Sequence, residues 1–169
     1  SSIGLDVGSG FVKLVEVDHS GAEPEVTNVA VRPLAPDAIV EGEVMDPVLV
    51  AETIRSVVES SGLKSKDIAS AVGGHDVIIK KIPMDRMSEP DAREVIRWEA
   101  EQHVPFDMEN VQLDFQILDE GASGAQMQVL LVAAKRELIE NRMSLLADAG
   151  LTPAAIDVDA FALHNAFEQ

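Results

Sequence analysis

Between two short apolar segments near the start of the chain stands Asp6-Val7-Gly8-Ser9-Gly10-Phe11-Val12-Lys13. Ile3 to Asp6 reads as a strand that runs into a glycine-rich turn, and Phe11 to Val17 reads as the strand that leaves it. A carboxylate at a strand end can hold a hydrated Mg²⁺, as Asp6 would through water. Gly8 and Gly10 let backbone N–H groups approach phosphate oxygens, Ser9 adds a hydroxyl, and Lys13 reaches back along the hairpin toward the same phosphates. The plain alternative is a tight turn beside a solvent-exposed lysine, and spacing alone leaves both readings open.

The elements after this turn narrow the fold. Asp18 to Gly21 turns the chain and Val26 to Val31 reads as a third strand. A helix is expected over 47–61: Asp46 caps it, Pro47 takes its first position, Gly62 ends it, and Val50, Ile54, Val57 and Val58 share one face. Ile68 to Val72 is then a fourth strand, parallel to the first, because a helical crossover permits that and a tight turn does not. The order β-β-β-α-β, with an acid ending the first strand, is the opening of an α/β core of the actin or ribonuclease-H type.

Gly73-Gly74 marks a boundary. Beyond it, Val77 to Ile82 reads as a strand stopped by Pro83, and Ser88 opens a helix to about His103 with Met87 and Ala92 as its hydrophobic staple. Val111 to Ile117 alternates without error, Gly121 to Gly124 turns, Met127 to Ala134 returns, and Leu138 to Ala149 is a helix ended by Gly150. Residues 75–150 thus form a small inserted β-α-β-β-α subdomain, with the core made of 1–74 and 151–169. Ala155 to Val158 is a last strand and a helix begins at 160. On the helix from Ser88, Trp98 lies well off the apolar stripe of Ala92, Val95, Ile96 and Ala100, while Glu99 interrupts it. A tryptophan so placed either packs on a neighbouring element or marks a contact surface.

Charge and composition remove other classes. A formal net charge of -17 repels phosphate backbones and anionic headgroups, which argues against nucleic acid and peripheral membrane binding. With no cysteine there is no thiolate metal site, and the four histidines have no metal-binding spacing. The longest apolar run, Val129 to Ala134, is too short to span a membrane, so no direct membrane insertion is expected. The chain reads as cytoplasmic. It begins at Ser1 and stops at Gln169 within an expected helix, so truncation at both ends is expected.

Asp6 to Lys13 resembles the first phosphate loop of the actin, Hsp70 and sugar-kinase superfamily. Ile3 to Asp18, Ala71 to Met84, Ile96 to Phe106 and Ile156 to Phe167 together resemble the PilM family, actin-like cytoplasmic proteins of type IV pilus assembly related in layout to the division protein FtsA. The resemblance covers essentially the whole chain. It implies ATP and Mg²⁺ as ligands, with Asp6, Gly8, Ser9, Gly10 and Lys13 matching the phosphate loop. It places Asp157 and Asp159 where the superfamily positions Mg²⁺ and the attacking water; two surface carboxylates or a helix cap is the competing reading. It implies a groove for the cytoplasmic N-terminal tail of PilN, for which Trp98 and Glu99 are the candidate contacts, together with other inner-membrane pilus assembly proteins as partners and recruitment to that membrane through them. Homo-oligomers are a further expectation of an actin-like fold.

The second phosphate loop and the adenosine pocket of such proteins would lie beyond Gln169, so the chain by itself is expected to bind ATP weakly or not at all, and to be at most part of a weak ATPase. An FtsA-like division anchor is the nearest competing function. A phosphotransferase of the same superfamily would need a catalytic base and a polar pocket that the 75–150 segment does not announce. A ribonuclease-H-like nuclease would need converging carboxylates and a basic surface, against which the net charge speaks.

Overall fold

In the computed structural model of the chain, residues 1–118 and 123–167 are described, with side chains through Leu163. The turn expected at Gly121 to Gly124 and the end of the last helix fall in part outside these residues. The chain divides into two compact units, residues 1–74 with 140–169, and residues 75–139.

The first unit is built on β1 (Ser2–Val7), β2 (Phe11–Asp18) and β3 (Glu25–Pro33), a short hairpin of β4 (Ile39–Val40) and β5 (Glu43–Val44), then α1 (Pro47–Ser61) and β6 (Asp67–Val72). Local sequence does not announce the β4–β5 hairpin. Its central Glu41 and Gly42 both have positive φ, 51° and 87°, as a tight hairpin turn of that hand requires, but Glu-Gly lacks the Asn-Gly or Asp-Gly signature. Asp46 caps α1 by accepting a hydrogen bond from Leu49 N at 3.0 Å, and Gly62 closes it in the left-handed region, φ 70°.

The second unit carries β7 (Val77–Asp85), α2 (Glu89–Glu101), a 3₁₀ turn at Met108–Asn110, β8 (Val111–Ile117) and β9 (Gln126–Lys135). The sheet order is β7-β9-β8, all antiparallel. Contrary to expectation, Pro83 does not stop β7. The strand lies at the sheet's edge, where a residue without an N–H removes no ladder bond. Ala92, Ile96 and Ala100 of α2 pack with Ile82, Met127 and Leu131 of the sheet into one core. Arg86 bonds the carbonyls of Gly124 and Gln126, and Arg93 pairs with Glu89 and stacks on Phe115, so these basic side chains are taken up locally.

α3 (Arg136–Asp148), β10 (Thr152–Val158) and α4 (Asp159–Phe167) complete the chain. The second unit was expected to run to residue 150 and to include the helix α3. It ends at Ile139, because Leu145, Leu146 and Ala149 are buried in the core of the first unit, and it is therefore β-α-β-β. β10 begins at Thr152 rather than Ala155, its Pro153 tolerated on an edge strand with a register shift beside it.

The five-stranded sheet of the first unit has the order β10-β6-β1-β2-β3. β1 and β2, and β2 and β3, are antiparallel, whereas β1, β6 and β10 run parallel. The alternation of β1 buries Ile3, Leu5 and Val7 and turns Ser2, Gly4 and Asp6 to the other face. Val50, Ile54 and Val57 of α1 and Leu145 and Leu146 of α3 join those buried residues in a single core. Leu14 and Ile54 are wholly enclosed there, and burial of such side chains contributes about 1.5–3 kcal/mol each.

Candidate functional site at the strand ends

Three parallel strands end side by side, and polar residues of the first unit gather there. Asp6 is the penultimate residue of β1, Gly73 comes directly after β6, and Asp159 directly after β10. The carboxyl ends of parallel strands are where open α/β sheets bind ligands, since loops diverge there and leave a crevice.

The register of the first hairpin sets Asp6 directly opposite Lys13, and Lys13 Nζ donates to Asp6 Oδ2 at 3.1 Å. Both side chains stay open to solvent, 52% and 59% exposed for Lys13 and Asp6. An ion pair that exposed contributes only about 0–1 kcal/mol, too little to make it a staple of the hairpin. Between them, Gly8 N donates to Phe11 O at 3.0 Å to close the turn, and Gly10 O accepts from Leu34 N at 2.9 Å. The amides of Ser9 and Gly10 make no hydrogen bond among the described residues.

Neither Gly8 nor Gly10 has a positive φ. A Cβ on Gly10 would meet nothing within 4 Å, and one on Gly8 would rest 3.4 Å from Phe11 O. The backbone therefore does not require glycine at position 10. The space beside Gly10 is open.

Asp159 faces the same place. Its carboxyl is held above the ordinary value of 3.8, first by burial and then by the Asp6 carboxylate, while Arg142 pulls it back down. Arg142, on α3, is half-buried; Nη1 donates to Ala71 O at 3.1 Å and to Ser70 Oγ at 3.4 Å. Burial lowers the pKa of its guanidinium, against the opposing pull of Asp159 and Asp6. Ser70 Oγ in turn donates to Leu5 O at 2.9 Å, tying β6 to β1 beneath the arginine. Neither Arg142 nor Gly73 is recognisable in sequence as part of a site. The one signal for Arg142 is a charge within the apolar stripe of α3, one turn before Leu145 and Leu146.

Asp157 does not join the cluster. Its Oδ1 accepts from the N–H of Val158 at 2.8 Å, and the residue is exposed on β10. In the second unit, Trp98 is 62% exposed on α2, as its angle from the apolar stripe predicts, and the neighbouring Glu99 is half-buried.

The donor set decides which ion would fit. Among the described residues no three His, Cys, Asp or Glu side chains gather into a metal cage. Hydrated Mg²⁺ needs no cage: it keeps its waters and takes one or two carboxylates plus substrate phosphates. Asp6 and Asp159 are two carboxylates, so the donor set fits such an ion.

The sheet order, the acid-bearing first hairpin and the α1 crossover define a mixed-sheet α/β protein of the actin-like kind. The family described as type IV pilus assembly protein PilM matches residues 4–169, and the chain belongs to it. A chain of the solved PilM-PilN type IV pilus biogenesis complex is 35% identical, with a TM-score of 0.83 over 95% of this chain and 48% of its own length. The cytoplasmic domain of EpsL, an inner membrane component of the type II secretion system of Vibrio cholerae, shares the fold at 13% identity, with a TM-score of 0.62 over 95% of this chain and 58% of that one. The chain therefore spans about half the length of these solved chains. Among the described residues no helix is long and apolar enough to cross a membrane.

Proposed function

We propose that the chain is a scaffold of type IV pilus assembly that acts in the cytoplasm, is recruited to the inner membrane by binding the cytoplasmic N-terminal tail of a PilN-type partner, and supplies the first half of an ATP site. The observation that carries the first part is the 35% identity, at a TM-score of 0.83, to a chain of the PilM-PilN complex over nearly the whole sequence. The second part is supported by the strand-end geometry. Ser9 and Gly10 leave their amides unbonded and Gly10 leaves clearance. Asp6 and Asp159 meet at the carboxyl ends of β1 and β10, with Lys13 of β2 paired to Asp6.

When bound, Mg²⁺ with ATP would supply a polarised phosphate and an ordered water shell. The residues' own tasks are simpler. Asp6 and Asp159 would hold the hydrated metal, Lys13 would neutralise phosphate charge, and the turn amides would orient the phosphate oxygens. Closure over a nucleotide by the remainder of a longer protein would be a population shift between conformations, suited to regulated assembly rather than rapid turnover.

Trp98 and Glu99 are the proposed contacts for the tail. Trp98 is exposed, so Trp98→Ala should leave the melting temperature unchanged within about 2 °C while weakening binding of a synthetic PilN N-terminal peptide by about 10-fold or more. Titration calorimetry reads the affinity. Equal affinity for the variant removes Trp98 from the contact, and no binding by either protein removes the partner assignment.

A further inference from the structure

Gly73 stands just after β6 with a φ that is not positive, so its conformation does not require glycine. What a side chain there would meet is Asp159. A Cβ placed there would collide with Asp159 Oδ2 and would come within 3.0 Å of Asp159 Cγ. The Asp159 carboxylate therefore occupies the very space that any other residue at 73 would fill. Two residues before Gly73, Ala71 O accepts from Arg142 Nη1 at 3.1 Å, and Ala71 pairs with Asp157 of the strand that leads into Asp159; this anchors the guanidinium on β6 beside that strand end, with no ion pair within 4.0 Å among the described residues. An arginine held by neutral acceptors alone, close to two carboxylates, acts as a fixed counter-charge rather than as half of a contact pair.

We propose that Gly73 and Arg142 are positioning residues for Asp159: Gly73 provides the slot in which its carboxylate lies at the strand ends, and Arg142, anchored on β6, fixes the charge against which that carboxylate is aligned beside Asp6. The role this serves, presenting Asp159 to a metal–nucleotide complex, rests on the ATP reading above. The positioning itself does not, and it is tested without ligand.

Among the described residues, the charged groups that act on Asp159 are Asp6 from β1, with Lys13 paired to it from β2, and Arg142 from α3; α4 carries Asp159 itself. The probe is the Arg142 Nε–Hε resonance in ¹H–¹⁵N spectra of the protein, compared among wild type, Asp159→Asn, Gly73→Ala and the double variant. The clash at Gly73 is with the end of a short side chain that can rotate away. Gly73→Ala is therefore expected to fold, with a melting temperature within about 3 °C of wild type, and to displace Asp159. Its Arg142 resonance should then move in the same direction as in Asp159→Asn, and the double variant should show no further displacement.

A resonance at the wild-type position in Asp159→Asn overturns the role of Arg142. One at the wild-type position in Gly73→Ala, with Asp159→Asn shifted, overturns the slot. Should Gly73→Ala fail to fold, a thermal double-mutant cycle of Arg142→Gln with Asp159→Asn takes its place; additive effects overturn the proposal, and restored coupling in Arg142→Lys supports it. Because no nucleotide is present, a protein that never binds ATP can still pass this test, and one that binds ATP can still fail it.

Discussion

Lys13 and Asp6 form an ion pair whose contribution to stability is small, whereas Asp159 works against the fold. Burial first, and the Asp6 carboxylate second, raise its pKa above 3.8 despite Arg142. An acid with a raised folded pKa costs nothing at pH values where it is protonated in both states. The penalty appears as pH rises through the ordinary carboxylate value and is complete above the folded pKa. Asp159 is largely open to solvent, so the penalty is small: Asp159→Asn is expected to melt no lower than wild type at neutral pH, and to match it below about pH 3.5. Calorimetric melting across that range checks the sign. A variant less stable than wild type at neutral pH would show that Arg142 outweighs burial and Asp6. Carboxylates perturbed in this way gather at sites that face ligands, where the charge serves binding rather than stability.

The helices and strands obey rules that local sequence states well. α1 was readable to both ends because Asp46, Pro47 and Gly62 each act within one turn, and the apolar stripe of Val50, Ile54 and Val57 gave its buried face. Asp46→Ala should remove the bond to Leu49 N and lower unfolding free energy by about 1 kcal/mol in denaturant melts. A loss under about 0.3 kcal/mol would mean that the α1 N-terminus is held by other contacts. β7 and β10 were cut short in sequence at Pro83 and before Ala155, because proline's effect depends on whether a strand lies at an edge, and that is settled by pairing with distant residues. The period of α3 marks it as a helix but does not give its unit, since Leu145 and Leu146 carry no mark of which core they enter. Half of the site was visible for the same reason that α1 was: Asp6 to Lys13 is contiguous. Asp159 is legible only through the family resemblance, and Gly73 and Arg142 join it through the parallel pairing of β1, β6 and β10 and the packing of α3 on β6, which no short-range spacing encodes.

At the scale of the whole molecule, one unit carries a strand-end cluster of Asp6, Asp159, Lys13 and Arg142 and the other an exposed tryptophan. The chain belongs to the family described as type IV pilus assembly protein PilM, and the proposed ATP role requires its first hairpin turn to accept phosphate. ¹H–¹⁵N spectra of the protein titrated with Mg-ATP test this most directly, since they register even weak binding residue by residue. The amides of Ser9 and Gly10 should shift progressively, Gly10→Ala and Lys13→Met should diminish the response by about 10-fold in affinity, and both variants should melt within about 2 °C of wild type. Titration that leaves Ser9 and Gly10 in place, or shifts them equally in Lys13→Met, would contradict it.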